Sequence, residues 1–148
     1  MKITFAPIVA VAFFVLVSCS TVESIRENPD NPVTYAALSA GTQAALYAGI
    51  QKMDRTELEQ GLAVVDTVAG LLSNPDNPGE VNWQAAQVYV NQQVPEAYRS
   101  LAVLVFGLLQ GEITSYAKDH PEAIVADKLI TAAAQGARQA FTLRLAEQ

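Results

Sequence analysis

From Val33 onward apolar residues recur at three- and four-residue intervals and no stretch alternates convincingly, so the body of the chain reads as helical. A first helix is predicted over about 33–52, with Tyr35, Leu38, Thr42, Leu46, Gly49 and Met53 along one stripe. A second, about 55–73, repeats Leu58, Leu62, Val65, Ala69 and Leu72. Asp54, with Glu57 three residues later, gives it a capping-box start. Residues 74–79, NPDNPG, are a run of helix breakers. A shorter third helix, about 81–93, carries Trp83, Ala86 and Val90, and Pro95 interrupts the chain because Val94 before it is pushed out of helical conformation. The fourth, about 96–117, holds Leu101 to Leu109, a run apolar all round, the pattern of a central buried helix or of a membrane-seeking segment; nine residues cannot span a bilayer and Arg99 and Glu112 flank the run, so a buried core helix is expected. Asp119, His120 and Pro121 end it, and an alanine-rich fifth helix is predicted over about 122–146.

The expectation is therefore an all-α fold, a single compact bundle of about five helices spanning 33–148. NPDNP occurs at 28–32 and again at 74–78, an offset of 46 residues, and each copy precedes a turn–helix–turn–helix stretch. That period lies in the range of helical-hairpin arrays, which raises a duplicated hairpin as the origin of the bundle. Reuse of good turn residues ahead of helices explains the motif equally simply.

The first eighteen residues are of another kind. Lys2 supplies a positive charge, and Ile3 to Val17 is apolar apart from Thr4 and Pro7. Fifteen residues of helix reach about 22 Å, short of the roughly 30 Å hydrocarbon core of a bilayer, so a cleavable export signal fits better than a transmembrane anchor. Leu16, Val17, Ser18 and Cys19 close the run. They resemble the lipobox of bacterial lipoproteins: an aliphatic residue, two small or tolerated residues, then cysteine. The resemblance covers the signal alone. It implies a signal peptide at 1–18, diacylglyceryl transfer to the Cys19 thiol, cleavage before Cys19 and acylation of its new amino group. Ser20, where an aspartate would imply retention in the inner membrane, implies the outer membrane with the domain facing the periplasm. Residues 19–32 then form a lipidated polar tether of limited reach, thirteen residues beyond the cysteine extending at most about 45 Å.

Composition narrows the chemistry. Nine Lys and Arg stand against fifteen Asp and Glu, a net charge of −6, which disfavours nucleic acid as a partner. Removal of Lys2 with the signal leaves 8 − 15 = −7, so lipid rather than charge would hold the protein to the membrane. The one cysteine excludes an intrachain disulfide, and the one histidine excludes a multi-histidine metal site. His120 lacks a recognisable nucleophile and reads as a helix-end residue. Asp66 and Glu112 could form an acid–base pair, but no sugar-binding cleft accompanies them, and pairing with Arg55, Arg99 or Arg138 is the simpler reading. Small residues at every fourth place, Ala37, Gly41, Ala45 and Gly49, then Ala132, Gly136 and Ala140, predict close helix packing or a homo-oligomer seam. Trp83, Tyr89 and Tyr98 are candidate anchors for a protein partner. Glycine-rich phosphate loops, zinc spacings and calcium loops do not occur in the sequence.

The reading is a lipid-anchored envelope protein, not an enzyme, with no cofactor beyond the covalent lipid on Cys19. Its helical domain would serve as an interaction, assembly or structural factor. A phage- or prophage-encoded lipoprotein for superinfection exclusion or lysis, and a carrier holding an apolar ligand within the bundle, are the alternatives. Cys19→Ala is expected to leave an unlipidated precursor, read by intact mass. An unmodified thiol in the wild-type chain would refute the lipobox.

Overall fold

The structure is a computed structural model that describes residues 32–77, 79–120 and 125–148. The signal, Cys19 and the tether up to residue 31 lie outside the described residues, as does the predicted start of the fifth helix at 122–124. Five α-helices are described: α1 Pro32–Gly49, α2 Arg55–Leu72, α3 Trp83–Val88, α4 Glu96–Asp119 and α5 Ala126–Ala146. A π-helical turn, Tyr89–Gln93, extends α3. No strand occurs among the described residues.

Local chemistry accounts for most boundaries. α1 starts at Pro32, whose fixed φ and missing N–H suit a first helical turn. α2 opens on the expected capping box. The Asp54 carboxylate accepts from the Glu57 amide at 2.9 Å, and the Glu57 carboxylate accepts from the Asp54 amide at 2.9 Å, an arrangement that stabilises by about 1 kcal/mol. Asn82 caps α3 by accepting from the Ala85 amide at 3.2 Å. The Val94 amide donates back five residues to the Tyr89 carbonyl at 3.2 Å, and Val94 itself is extended, as its place before Pro95 requires.

Side-chain contacts set the directions of the helices. α1 and α5 run parallel: Lys128 lies over the Tyr35 ring, Gly136 faces Ser39, and Glu147 accepts from Tyr47. α5 runs antiparallel to α2, since Phe141 covers Gly61 and Arg138 pairs with Asp66. α4 runs antiparallel to α1, with Leu104 against Gly49 and Glu112 against Gly41. α2 and α4 therefore point the same way, and the segment 73–95, including α3, carries the chain back along the bundle between them. The result is a four-helix bundle with one long crossover. Its neighbours in order are α1, α5, α2 and α4, and the α1–α5 contact is the most extensive. α1 and α2, joined by a short turn, meet mainly through their common neighbours. The NPDNP repeat thus has no counterpart in a repeated hairpin, and α3 with its π turn does not match α1 in length or partner.

Burial also departs from expectation. Helix α4 buries only Leu101, Ala102, Val105, Leu109 and Ile113, while Val103 is 51% exposed and Leu104, Phe106 and Leu108 are half-buried. The central helix is α5, in which ten residues are buried, from Ala126 to Phe141. Small side chains let α1 and α2 approach α5 on two flanks, whereas the bulk of leucine and valine on α4 fills a single face. The alanine–glycine stripe of α5 is buried, and at Gly136 it meets Ser39 and Gln43 of α1 rather than the small stripe of α1. Gly41 and Gly49 of that second stripe face α4. Thr42 is fully buried and satisfies its hydroxyl by donating to the Leu38 carbonyl at 2.9 Å.

Two glycines separate packing from propensity. A Cβ at Gly136 would stand 2.0 Å from the Ser39 carbonyl oxygen, whereas one at Gly70, on α2, meets nothing within 4 Å. Gly136→Ala is expected to destabilise by about 1–3 kcal/mol through overpacking, lowering the thermal midpoint by several degrees. Gly70→Ala should raise it, by up to about 1 kcal/mol of helix propensity. Thermal melts of the two variants check both signs.

Candidate functional site

Close approach of α1 and α5 leaves a groove along their outer side. It has a volume of about 600 Å³ between Tyr35, Ala36, Ala40 and Gln43 on α1 and Lys128 and Gln135 on α5. Asp127, Thr131 and Gln139 complete a wall rich in amides and hydroxyls over an alanine floor. Smaller hollows of about 340 and 200 Å³ continue it toward the C-terminus, past Thr142 and Leu143 to Tyr47 and Glu147. Glutamine side chains offer donors and acceptors together, so the groove suits a ligand presenting both, such as polypeptide backbone.

A hydrogen-bonded clasp closes the C-terminal end of the groove. Arg144 donates from Nη2 to the Gln51 carbonyl at 2.8 Å and from Nη1 to Glu147 at 3.1 Å. Tyr47 donates its hydroxyl to the other Glu147 oxygen, and the Gln148 amide donates to the Met53 carbonyl at 2.8 Å. The clasp ties the end of α5 to the turn between α1 and α2. The Tyr47 hydroxyl, chiefly, holds the Glu147 carboxyl below its ordinary value; slight desolvation opposes this, and Arg144 adds to the lowering by hydrogen bond and charge.

The residues singled out from sequence fall in separate places. Trp83, Tyr89 and Tyr98 are each half-buried and packed on the core. Trp83 meets Phe106 edge-on, with ring centroids 6.2 Å apart and planes at 74°, and so seals α3 against α4. Tyr89 begins the π turn and Tyr98 stands in the first turn of α4. His120 is the C-cap of α4: its amide donates to the Tyr116 carbonyl at 3.0 Å, and its ring lies 4.6 Å from that of Tyr116. Asp66 pairs with Arg138 at 2.6 Å across α2 and α5, while Glu112 lies over Gly41 between α4 and α1. Those are opposite edges of the bundle, so the two carboxylates do not form an acid–base pair. Among the described residues no cluster of three His, Cys, Asp or Glu could hold a metal. Cys19 lies outside the described residues.

The outer face of α4 is the feature that sequence reasoning missed. Gly107 and Gly111 both lie on it, exposed, with open space where a Cβ would project. Glycine inside a helix costs roughly 1 kcal/mol relative to alanine, and no close approach among the described residues offsets it at either position. The signal is present in the sequence as two glycines four apart in an apolar helix, but periodicity within the helix does not mark which side stays outside. Helix α4 is also the one described helix long and apolar enough to cross a membrane by length and composition, with 28% of its most apolar window buried. Comparison with known proteins adds no relative: no family model matches the chain, and no curated protein or solved structure is significantly similar to it.

The clasp makes a pH prediction. A carboxyl lowered in the folded state contributes stability that is full above its unfolded value, about 4.3 for glutamate, and is lost as pH falls through the lower folded value. Tyr47→Phe should lower the thermal midpoint at neutral pH and flatten its decline in that acid window. Melts of the wild type and the variant across pH 2–7 (about the range in which carboxylates titrate) check this.

Proposed function

We propose that the chain is a lipid-anchored protein of the bacterial envelope whose periplasmic helical domain acts by binding, as an interaction, assembly or structural factor. The observation that carries the reading is Leu16, Val17, Ser18 and Cys19 at the end of a short apolar run led by Lys2. Acyl chains on Cys19 would give stable anchoring where a single chain would not, and Ser20 directs the reading to the outer membrane.

The bundle adds a point of attachment to this proposal. α1 begins at the end of the bundle where α2 and α4 finish and α5 starts, so a tether ending at Pro32 enters there. A tether reaching at most about 45 Å exceeds the roughly 36 Å length of α4, so it leaves either end of the bundle able to face the membrane. The α1–α5 groove and the outer face of α4 would then run along the sides of the domain, open to partners in the envelope. The groove joins glutamine amides to a mainly apolar lining, which fits a protein segment that offers backbone groups and apolar side chains together. A photo-crosslinking amino acid at Gln43 or Gln135 in the lipidated chain is expected to give a discrete adduct with an envelope protein in living cells. The same residue at exposed Gln84, away from the groove, should not. Equal labelling from both faces, or none from the groove at normal protein abundance, would reject the binding role assigned to the groove.

A further inference from the structure

We infer that the outer face of α4 pairs, antiparallel, with the same face of a second copy of this chain. The inference does not rest on the lipid anchor or on the α1–α5 groove. It starts from a straight stripe in helical register: Glu96, Ser100, Val103, Gly107, Gly111, Thr114 and Lys118, all exposed. These positions lie within about 40° of one another on either side of Gly107 at 100° per residue.

The stripe is self-complementary about Gly107. A two-fold axis through that glycine puts each residue opposite the one whose number makes a sum of 214 with its own. Glu96 then faces Lys118 of the partner subunit, and Lys118 faces Glu96 of the partner subunit. Ser100 faces Thr114 of the partner subunit, two hydroxyls that can donate and accept in turn. Val103, 51% exposed, faces Gly111 of the partner subunit, an apolar knob against open space. A parallel arrangement would set Glu96 against its own copy and Lys118 against its own copy, so charge selects the antiparallel one. Neither Glu96 nor Lys118 makes an ion pair with any described residue of its own chain. Isologous two-fold contacts are the commonest way for a chain to pair with itself. Small residues at the crossing let the two backbones come close, which accounts for both glycines that the fold of one chain leaves unexplained.

The test uses the full-length protein in the membrane fraction of cells that produce it. Two tagged copies are co-expressed, one carrying Ser100→Cys and the other Thr114→Cys, and oxidised with copper phenanthroline. A disulfide between the two different copies is expected, well above that between two Ser100→Cys chains and above the background from Cys19 alone. Glu96→Lys or Lys118→Glu should each remove most of the cross-linked species, and the two together in one chain should restore it. Gly107→Leu should abolish cross-linking while leaving the thermal midpoint, measured at a dilution where the wild type is monomeric, unchanged or higher, since no described residue occupies that space. Absence of the 100–114 disulfide would overturn the proposal. So would an equally strong 100–100 disulfide, failure of the double charge swap to restore pairing, or a lowered midpoint for Gly107→Leu.

Discussion

At Gly136 the backbone of α5 rests on the backbone of α1, with no room for a methyl group between that glycine and the Ser39 carbonyl. The rest of the bundle depends on this approach. It joins the first and last described helices side by side and parallel, although consecutive antiparallel pairing would have been the shorter route. Once α5 occupies that place beside α1, its other flank takes α2, where the Phe141 ring fills the space that Gly61 leaves open. Helix α4 is left to close the ring against α1 and α2. Parallel neighbours gain nothing from their helix dipoles, so tight packing between small residues has to supply the attraction, and it does so by dispersion contacts at short range.

The same constraint inverts the usual link between hydrophobicity and burial. α5 is rich in alanine and yet central, because residues with little side chain permit contact on several sides. α4 carries the most apolar run and yet lies at the edge of the ring, because a helix of leucine and valine holds its neighbours farther off. Total apolar content therefore says less about a helix's place in the bundle than the size distribution around its circumference. Val103, Phe106 and Leu108 keep part of their surface in water as a consequence.

In the proposed reading, address and activity are written at different levels of this molecule. The lipobox proposed at Leu16, Val17, Ser18 and Cys19 would be a chemical instruction legible in a few consecutive residues, without any folded structure. The surfaces that would serve a bound partner exist only after α1, α4 and α5 have taken their places. Asp66, Glu112 and His120, the catalytic candidates in the sequence, take part in an ion pair, a helix contact and a helix cap. Trp83 is largely absorbed into the joint between α3 and α4.

The sequence by itself determined the helices and their ends. Asp54 with Glu57, Asn82, Val94 before Pro95 and the breakers after Leu72 act through hydrogen bonds and steric contacts a few residues apart, so each is legible locally. The stripe positions Leu38, Leu46, Leu58, Val65, Leu72, Ala86 and Val90 were legible too, because burial of one face leaves a periodic trace. The tertiary structure alone decided which helix is central, that α1 and α5 run parallel, and that α1 and α2 are not a packed hairpin. It also decided that Gly136 and Gly61 are contact points while Gly107 and Gly111 are open. Those facts depend on pairs of residues separated by most of the chain, and periodicity within one helix carries no record of which neighbour will cover a given face, or of whether any will.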